Sequence, residues 1–252
     1  MWQRPRTQAS FRSAAINITC EEVTHYSDED EDTISIASSK VEEQFNLVKE
    51  YFNLFPKTIP TELPPLKNVN HCIDPKPGSK WIPTWRPSAH KFGQYINETL
   101  NAKVESGRMY PAPNDKNTVV MFYIAKRDQP NKPRFVTDCH LRNLAIYKIQ
   151  TPLSNIDKLI QLVTTYSVWS KIDLADGYFN IREEESSEKW KTILTTHGKM
   201  RSRVMSQGDY NAPGTMMEAM LDSFKDMVYQ YLIIYIDNII IYSRTEKEHV
   251  RD

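Results

Sequence analysis

The sequence is poor in cysteine, and the three it has are scattered. Cys20, Cys72 and Cys139 lie far apart, without a C-x-x-C pair. An odd, dispersed set of this kind argues against a disulfide framework and against a cysteine zinc site. Adjacent Cys139 and His140 do not have a metal-ligand spacing either. Long apolar runs are also missing. None reaches the ~18 residues needed to cross a bilayer. The opening stretch MWQRPRTQASFRSAA has no apolar core of the kind a secretory signal carries. No internal repeat is found, and no excess of either charge, since 32 Lys and Arg balance 32 Asp and Glu. These absences predict a protein of a reducing compartment, cytoplasmic or nuclear, not secreted and with no membrane partner. The oligomeric state is not legible.

What is present is a globular balance, with 40% apolar and 25% charged residues over 252 positions. That length holds one large domain or two small ones and can bury a sizeable core. The neutral total hides an asymmetry. From Glu21 to Glu50 there are ten acids against two lysines, and from Arg86 to Arg142 ten Lys/Arg against five acids. An acidic front and a basic middle result, and a basic middle can meet a phosphate backbone.

Residues 1–40 are polar and include the acidic run SDEDED, so they are expected to be a disordered acidic tail. Residues 41–70 read as a short helix, VEEQFNLVKEYFNLF, followed by a proline-rich linker. The stretch KPGSKWIPTWRPS is expected to be extended. Ser88 is placed to cap a helix bearing Phe92, Ile96, Leu100 and Val104, which Gly107 ends. TVVMFYIAKR and RFVTDCH read as strands around a turn. Ser154 is placed to cap a helix with Ile156, Leu159, Ile160 and Val163. VWSKIDL is a short strand, and WKTILTT and MRSRVMS flank a hairpin signal at His197-Gly198-Lys199. Asn211 and Pro213 open a helix with a methionine-rich face running to Val228, most simply core packing. YLIIY and IIIYS form a last hairpin. Mixed helices and strands without regular alternation predict an α+β fold, an antiparallel sheet packed on helices.

The segment YLIIYIDNIIIYS raises the functional question, because Asp237 sits in the middle of the most apolar stretch of the chain. A carboxylate there is costly unless compensated. Either it occupies a plain surface turn or it is held at the end of two strands for chemistry. Asp173 likewise follows an apolar strand. If the two strands are neighbours, both carboxylates reach one sheet edge. Hard oxygen ligands at such an edge suit Mg²⁺. Two ions about 3.5–4 Å apart stabilise the attacking and leaving oxygens of a phosphoryl displacement.

KIDLADGYFNI, QGDYNAP and YIDNIIIYS together resemble the palm motifs of reverse transcriptases, most closely the Ty3/gypsy class of long-terminal-repeat retrotransposons. HCIDPKPGSKW, AKRDQPNKPRFVTDCHLRN and TPLSNIDKLI are similar to the family's flanking segments, so the resemblance runs from about His71 to Ser243. It implies a right-hand polymerase with lead-in and fingers over 71–150 and a palm over 151–252. It implies RNA-directed DNA polymerase activity, with Mg²⁺ (two ions, Mn²⁺ as a substitute), a primed RNA or DNA template and dNTP. By the same resemblance, Asp173 and Asp237 are the catalytic metal carboxylates, with the Leu174 carbonyl as a further metal ligand. Tyr178 lies under the incoming sugar and Gln207 lines the nucleotide pocket. Lys126 and Arg134 meet the nucleotide phosphates. Asp176 and Gly177 shape the turn after the first ligand, and Tyr235 faces the primer end.

Two departures bear on activity. Asn238 stands where the family's Y-x-D-D motif has its second aspartate, which keeps the shape but removes a charge and predicts weaker metal binding. His140 also replaces the family's usual arginine. The sequence read ends at Asp252, a few residues past the hairpin, so a truncated chain without the family's thumb and RNase H segments is expected. An inactive, truncated remnant that at most binds nucleic acid is therefore the alternative to a working polymerase. An interaction module built on residues 1–60 is a third.

Overall fold

The computed structural model of the chain describes residues 10–12, 17–19, 62–83, 93–125, 133–149, 151, 155–174 and 176–251. In chain order the first elements are β1 (Ser10–Arg12), β2 (Asn17–Thr19), α1 (Gly93–Glu105), β3 (Met109–Pro111), β4 (Val119–Ile124) and β5 (Arg134–Asp138). Then come α2 (His140–Ala145), α3 (Ile156–Thr164), β6 (Val168–Asp173), α4 (Glu185–Glu188), β7 (Thr192–Thr195) and β8 (Gly198–Ser202). α5 (Ala212–Phe224), β9 (Leu232–Tyr235), β10 (Asn238–Ser243) and α6 (Glu246–Arg251) complete the chain. These elements fall into two units that interleave in sequence, one of residues 1–60, 154–175 and 226–252, the other of 61–153 and 176–225. Sequence alone leads to the expectation of successive parts divided near residue 150. No described helix is long and apolar enough to cross a membrane.

The first unit is organised by a five-stranded sheet in the order β1-β2-β6-β10-β9. Every pair in it is antiparallel, as expected of the palm sheet. β9 and β10 are rich in isoleucine, whose branched side chains suit a pleated, packed surface. Ile233, Ile234 and Ile239 are buried. α3 covers this sheet through Leu159 and Val163, four residues apart on one helical face, which pack with Ile233 and Tyr242. The Tyr166 and Tyr242 rings lie 4.5 Å apart. α3 is capped by Asn155 rather than Ser154: the Asn155 side chain accepts from the Asp157 and Lys158 amides. His249 of α6 sits between Ser170 of β6 (2.7 Å) and Ser243 of β10 (3.1 Å), fastening that helix to the sheet.

β1 and β2 fall inside the segment where the charge pattern predicts disorder. β2 has the sequence Asn-Ile-Thr and pairs with β6, Asn17 opposite Asp173. Ile and Thr favour strands, and a free strand edge offers them partners that a charge count does not see. The SDEDED run and the helix expected over 41–55 lie outside the described residues, as does Ser88.

The second unit holds a five-stranded sheet in the order β3-β8-β7-β4-β5. Here β4 and β7 are parallel and the other pairs antiparallel, a mixture that sequence did not reveal. Its core joins Trp81, Ile96, Leu100, Met109, Val119, Met121, Ile193 and Met200. Ile96 and Leu100 of α1 are fully buried, one helical turn apart. Gly107 follows with φ +71°, a left-handed position that only glycine takes without strain. On α5, Met216, Met217 and Met220 are buried, so the methionine face is core. The helix ends at Phe224, short of the expected Val228.

Candidate active site

Antiparallel pairing brings the end of β6 to the start of β10. Asp173, the last residue of β6, stands opposite Asn238, the first of β10. Asn238 also pairs with Tyr235, so β9 and β10 are joined by a two-residue turn, Ile236-Asp237. The Leu174 amide donates to the Asp237 carbonyl at 3.4 Å, which ties the turn to the end of β6. Facing Cα atoms in such a ladder are about 4.5–5.5 Å apart. The two aspartates, one residue out of direct opposition, are therefore near neighbours at one end of one sheet.

Asp173, Asp237 and Asn238 are all half-buried. The Asn238 side-chain amide donates to Asp237 Oδ1 at 3.1 Å and reaches the Tyr235 carbonyl at 3.5 Å. Ile236 has φ +59°, a strained value for a β-branched residue. The donor set is two carboxylates, which fits a hard, oxygen-seeking divalent cation. It supplies two negative charges where a third aspartate in the place of Asn238 would supply three.

The other candidate residues lie in the second unit, apart from Lys126, which is outside the described residues, and Tyr235, at the end of β9. Asp176 takes a left-handed conformation (φ +54°) and opens a 3₁₀ turn over Gly177–Asn180 that includes half-buried Tyr178. The Asp176 carbonyl accepts from the Phe179 amide at 2.9 Å. Lys103 lies 4.4 Å over the Phe179 ring. Burial, then the charge of Arg108, pushes the Lys103 ammonium down to about 8, against the pull of Asp176. Arg134 opens β5, exposed, opposite Ile124. Gln207 is exposed at the tip of a turn between buried Ser206 and buried Asp209.

A cluster of buried charges was missed in the sequence. Arg142, Lys191 and Glu183 are fully buried, and His71 and Asp209 nearly so. Asp209 receives Arg142 on one oxygen and Lys191 on the other, the latter at 2.5 Å. Lys191 is also 3.0 Å from Glu183 Oε1. Neither Glu183 oxygen receives a well-directed hydrogen bond, and burial pushes its carboxyl up to about 7 despite Lys191. Burial alone would raise Asp209 too, but Arg142 and Lys191 outweigh it and hold that carboxyl well below the ordinary range. Burial also lowers His71 to about 4, so its ring is neutral near pH 7. Ligand atoms of His71, Glu183 and Asp209 lie within 4.8 Å of one another, the spacing of a metal site. The Lys191 ammonium already lies within 3.0 Å of both carboxylates of this set.

A family model described as Reverse transcriptase (RNA-dependent DNA polymerase) matches residues 124–252, which contain β6, β9, β10 and both aspartates. The chain belongs to the reverse transcriptase family. It is 30% identical to a putative enzymatic polyprotein of Cassava vein mosaic virus over 47% of its length. It is 28% identical to the retrovirus-related Pol polyprotein from transposon 297 of Drosophila melanogaster over 68%, and 24% identical to the transposon Tf2-7 polyprotein of Schizosaccharomyces pombe over 82%. It spans only 18%, 16% and 15% of those polyproteins. Among solved structures, the prototype foamy virus protease-reverse transcriptase aligns over 85% of the chain, with a TM-score of 0.68 and 18% identity. A foamy viral protease-reverse transcriptase in complex with an RNA/DNA hybrid aligns over 83%, with a TM-score of 0.65 and 15% identity. Both share the α+β fold of the chain, which spans 28% of the length of each of those proteins.

Proposed function

We propose that the chain is the fingers-and-palm part of a Ty3/gypsy-class retrotransposon polymerase, which extends a primer on an RNA or DNA template with dNTP. The observation that carries this reading is the register of β6 against β10, with Asp173 opposite Asn238 and Asp237 in the adjoining turn. Asp173 and Asp237, with the Leu174 carbonyl, would hold two Mg²⁺ ions, or Mn²⁺ in their place. Such ions, when bound, supply charge stabilisation to the attacking 3′-hydroxyl and to the leaving pyrophosphate. Tyr178 restricts the sugar, Gln207 contacts the nucleotide, and Lys126 and Arg134 neutralise its phosphates. Asp176 and Gly177 set the turn that presents Tyr178, and Tyr235 meets the primer end.

Primer extension on an RNA template with Mg²⁺ or Mn²⁺ tests the reading, with Asp173→Asn as control. Metal-dependent extension by the native chain and none by the variant is expected. Equal background from both would remove the enzymatic reading.

A second reading is favoured by one observation, the amide of Asn238 bonded to Asp237 Oδ1. It occupies part of a metal ligand and lacks the charge of an aspartate. In that reading the chain is an inactive remnant that binds primer–template through its basic residues, with affinity falling as salt rises.

A further inference from the structure

The turn that presents Gln207 is clamped at both ends by one lysine. The Asp209 amide donates to the Ser206 carbonyl at 3.4 Å, closing a four-residue turn with Gln207 and Gly208 at its tip. Lys191 Nζ donates to Ser206 Oγ at 3.1 Å and to Asp209 Oδ2 at 2.5 Å. The side chain thus bridges the first and last residues of the turn from beneath. No hydrogen bond links it to the two residues between. Asn143 holds the far side: its Nδ2 donates to the Gly208 carbonyl at 2.8 Å, and its Oδ1 accepts from the Tyr210 amide at 3.1 Å. Ser206 and Asp209 are buried, while Gln207 between them is exposed.

Lys191 is itself fixed to the sheet. It immediately precedes β7, its amide donates to the Glu188 carbonyl at 3.0 Å, and its carbonyl accepts from the Ser202 amide at 3.2 Å. Around it, Asp209 takes both Arg142 and Lys191, and Glu183 lies 3.0 Å from the ammonium, in a space where an unpaired ion is costly. The arrangement specifies one position for the ammonium and hence one for the turn. A turn whose backbone is already held when a ligand arrives loses less entropy on binding.

We propose that Lys191 is a positioning residue that sets the Ser206–Asp209 turn, so that Gln207 is presented to a nucleotide from a single backbone conformation. The proposal deepens the polymerase reading and rests on it for the identity of the ligand. Lys191 touches no nucleotide and acts through Ser206 and Asp209.

Hydrogen exchange on the full chain tests it, with Lys191→Met and with Ser206→Ala. The serine variant removes one arm of the clamp without unpairing a buried charge, so it keeps the test open if the lysine variant does not fold. The expected result is roughly tenfold faster exchange at the Gly208, Asp209 and Tyr210 amides, with Val119–Ile124 unchanged. Unchanged exchange at the turn, or an equal rise throughout the second unit, would overturn the proposal. A second arm measures thymidine triphosphate binding in a cycle with Gln207→Ala. The glutamine variant should weaken binding in the native background and add less than about twofold on top of Ser206→Ala. Full additivity overturns the coupling. If Gln207→Ala has no effect on the nucleotide while the turn loosens as expected, the clamp is supported and the nucleotide role of Gln207 fails alone.

Discussion

Asp173 faces Asn238 across the β6–β10 ladder, and Asp237 is the residue just before it in the turn. Directly opposed side chains interact, and like charges in that position destabilise the pair. An amide at 238 therefore relieves a repulsion that the family's second aspartate would create. The same substitution takes away a ligand charge that a divalent cation would use.

Asn238→Asp should accordingly act in opposite directions with and without metal. In EDTA the variant should melt at lower temperature than the native chain, because three carboxylates then meet at one sheet end. In Mg²⁺ or Mn²⁺ it should gain more stability than the native chain gains, reflecting roughly tenfold tighter binding, or about 1.4 kcal/mol. Melting curves with and without metal read both effects. A metal-induced shift identical in the two proteins would remove Asn238 from any role beside the ion.

The buried cluster of the second unit predicts unequal costs for two carboxylates in one network. Asp209→Asn leaves Arg142 and Lys191 with only Glu183 to face, and should cost about 3–5 kcal/mol. Glu183→Gln removes a carboxyl without well-directed hydrogen bonds, pushed up to about 7 and so half neutral at pH 7. Its cost should stay near 1 kcal/mol. Urea unfolding at pH 7 measures both, and equal costs would contradict the assignment of charges.

Much of the fold could be read in the sequence because apolar periodicity reports which face of an element is buried. The strands around Val120, Ile172 and Ile234 stand where alternation and β-branching place them, and the Met216–Met220 face is core. The pairing of the strands that lead to Asp173 and Asp237 was legible through motif spelling, since both apolar strands could be assigned to one sheet. The cluster around Lys191 was not. His71 and Asp209 are 138 positions apart, and charged residues are ordinarily exposed, so no local pattern marks Glu183 or Lys191 as buried. The parallel pairing of β4 with β7 and the recruitment of Asn17–Thr19 beside β6 are likewise long-range events without a periodic signature.

Two buried groups of the cluster titrate in opposing senses. Glu183 is raised from 4.5 to about 7, so the folded chain binds its proton more tightly, and stability falls as pH rises from about 4.5 to 7. His71 is lowered from 6.5 to about 4, so the unfolded chain binds that proton more tightly, and stability rises with pH over about 4 to 6.5. Asp209, facing Arg142 and Lys191, stays ionised throughout this window. Between pH 4.5 and 6.5 the two slopes offset each other. Glu183→Gln should expose the histidine alone, adding a rise of up to roughly 3 kcal/mol across that interval. Unfolding at pH 4.5, 5.5 and 6.5 distinguishes the cases, and parallel curves for the native chain and the variant would exclude the opposition.

Gly208 and Gly198 separate backbone strain from steric contact. Both have positive φ, +103° and +94°. A Cβ on Gly208 would lie 3.1 Å from the Thr137 carbonyl of β5, whereas one on Gly198 meets nothing within 4 Å. Alanine at either site incurs the conformational strain, about 1–3 kcal/mol. At 208 it must also push the turn away from β5, and with it the Asn143 bond to the Gly208 carbonyl. Gly208→Ala should therefore destabilise the chain more than Gly198→Ala, by about 1 kcal/mol or more, the worth of one hydrogen bond. It should also speed amide exchange at Tyr210, which Gly198→Ala should leave unchanged. Equal melting temperatures for the two variants would mean that the close approach to Thr137 imposes no constraint on the turn that carries Gln207.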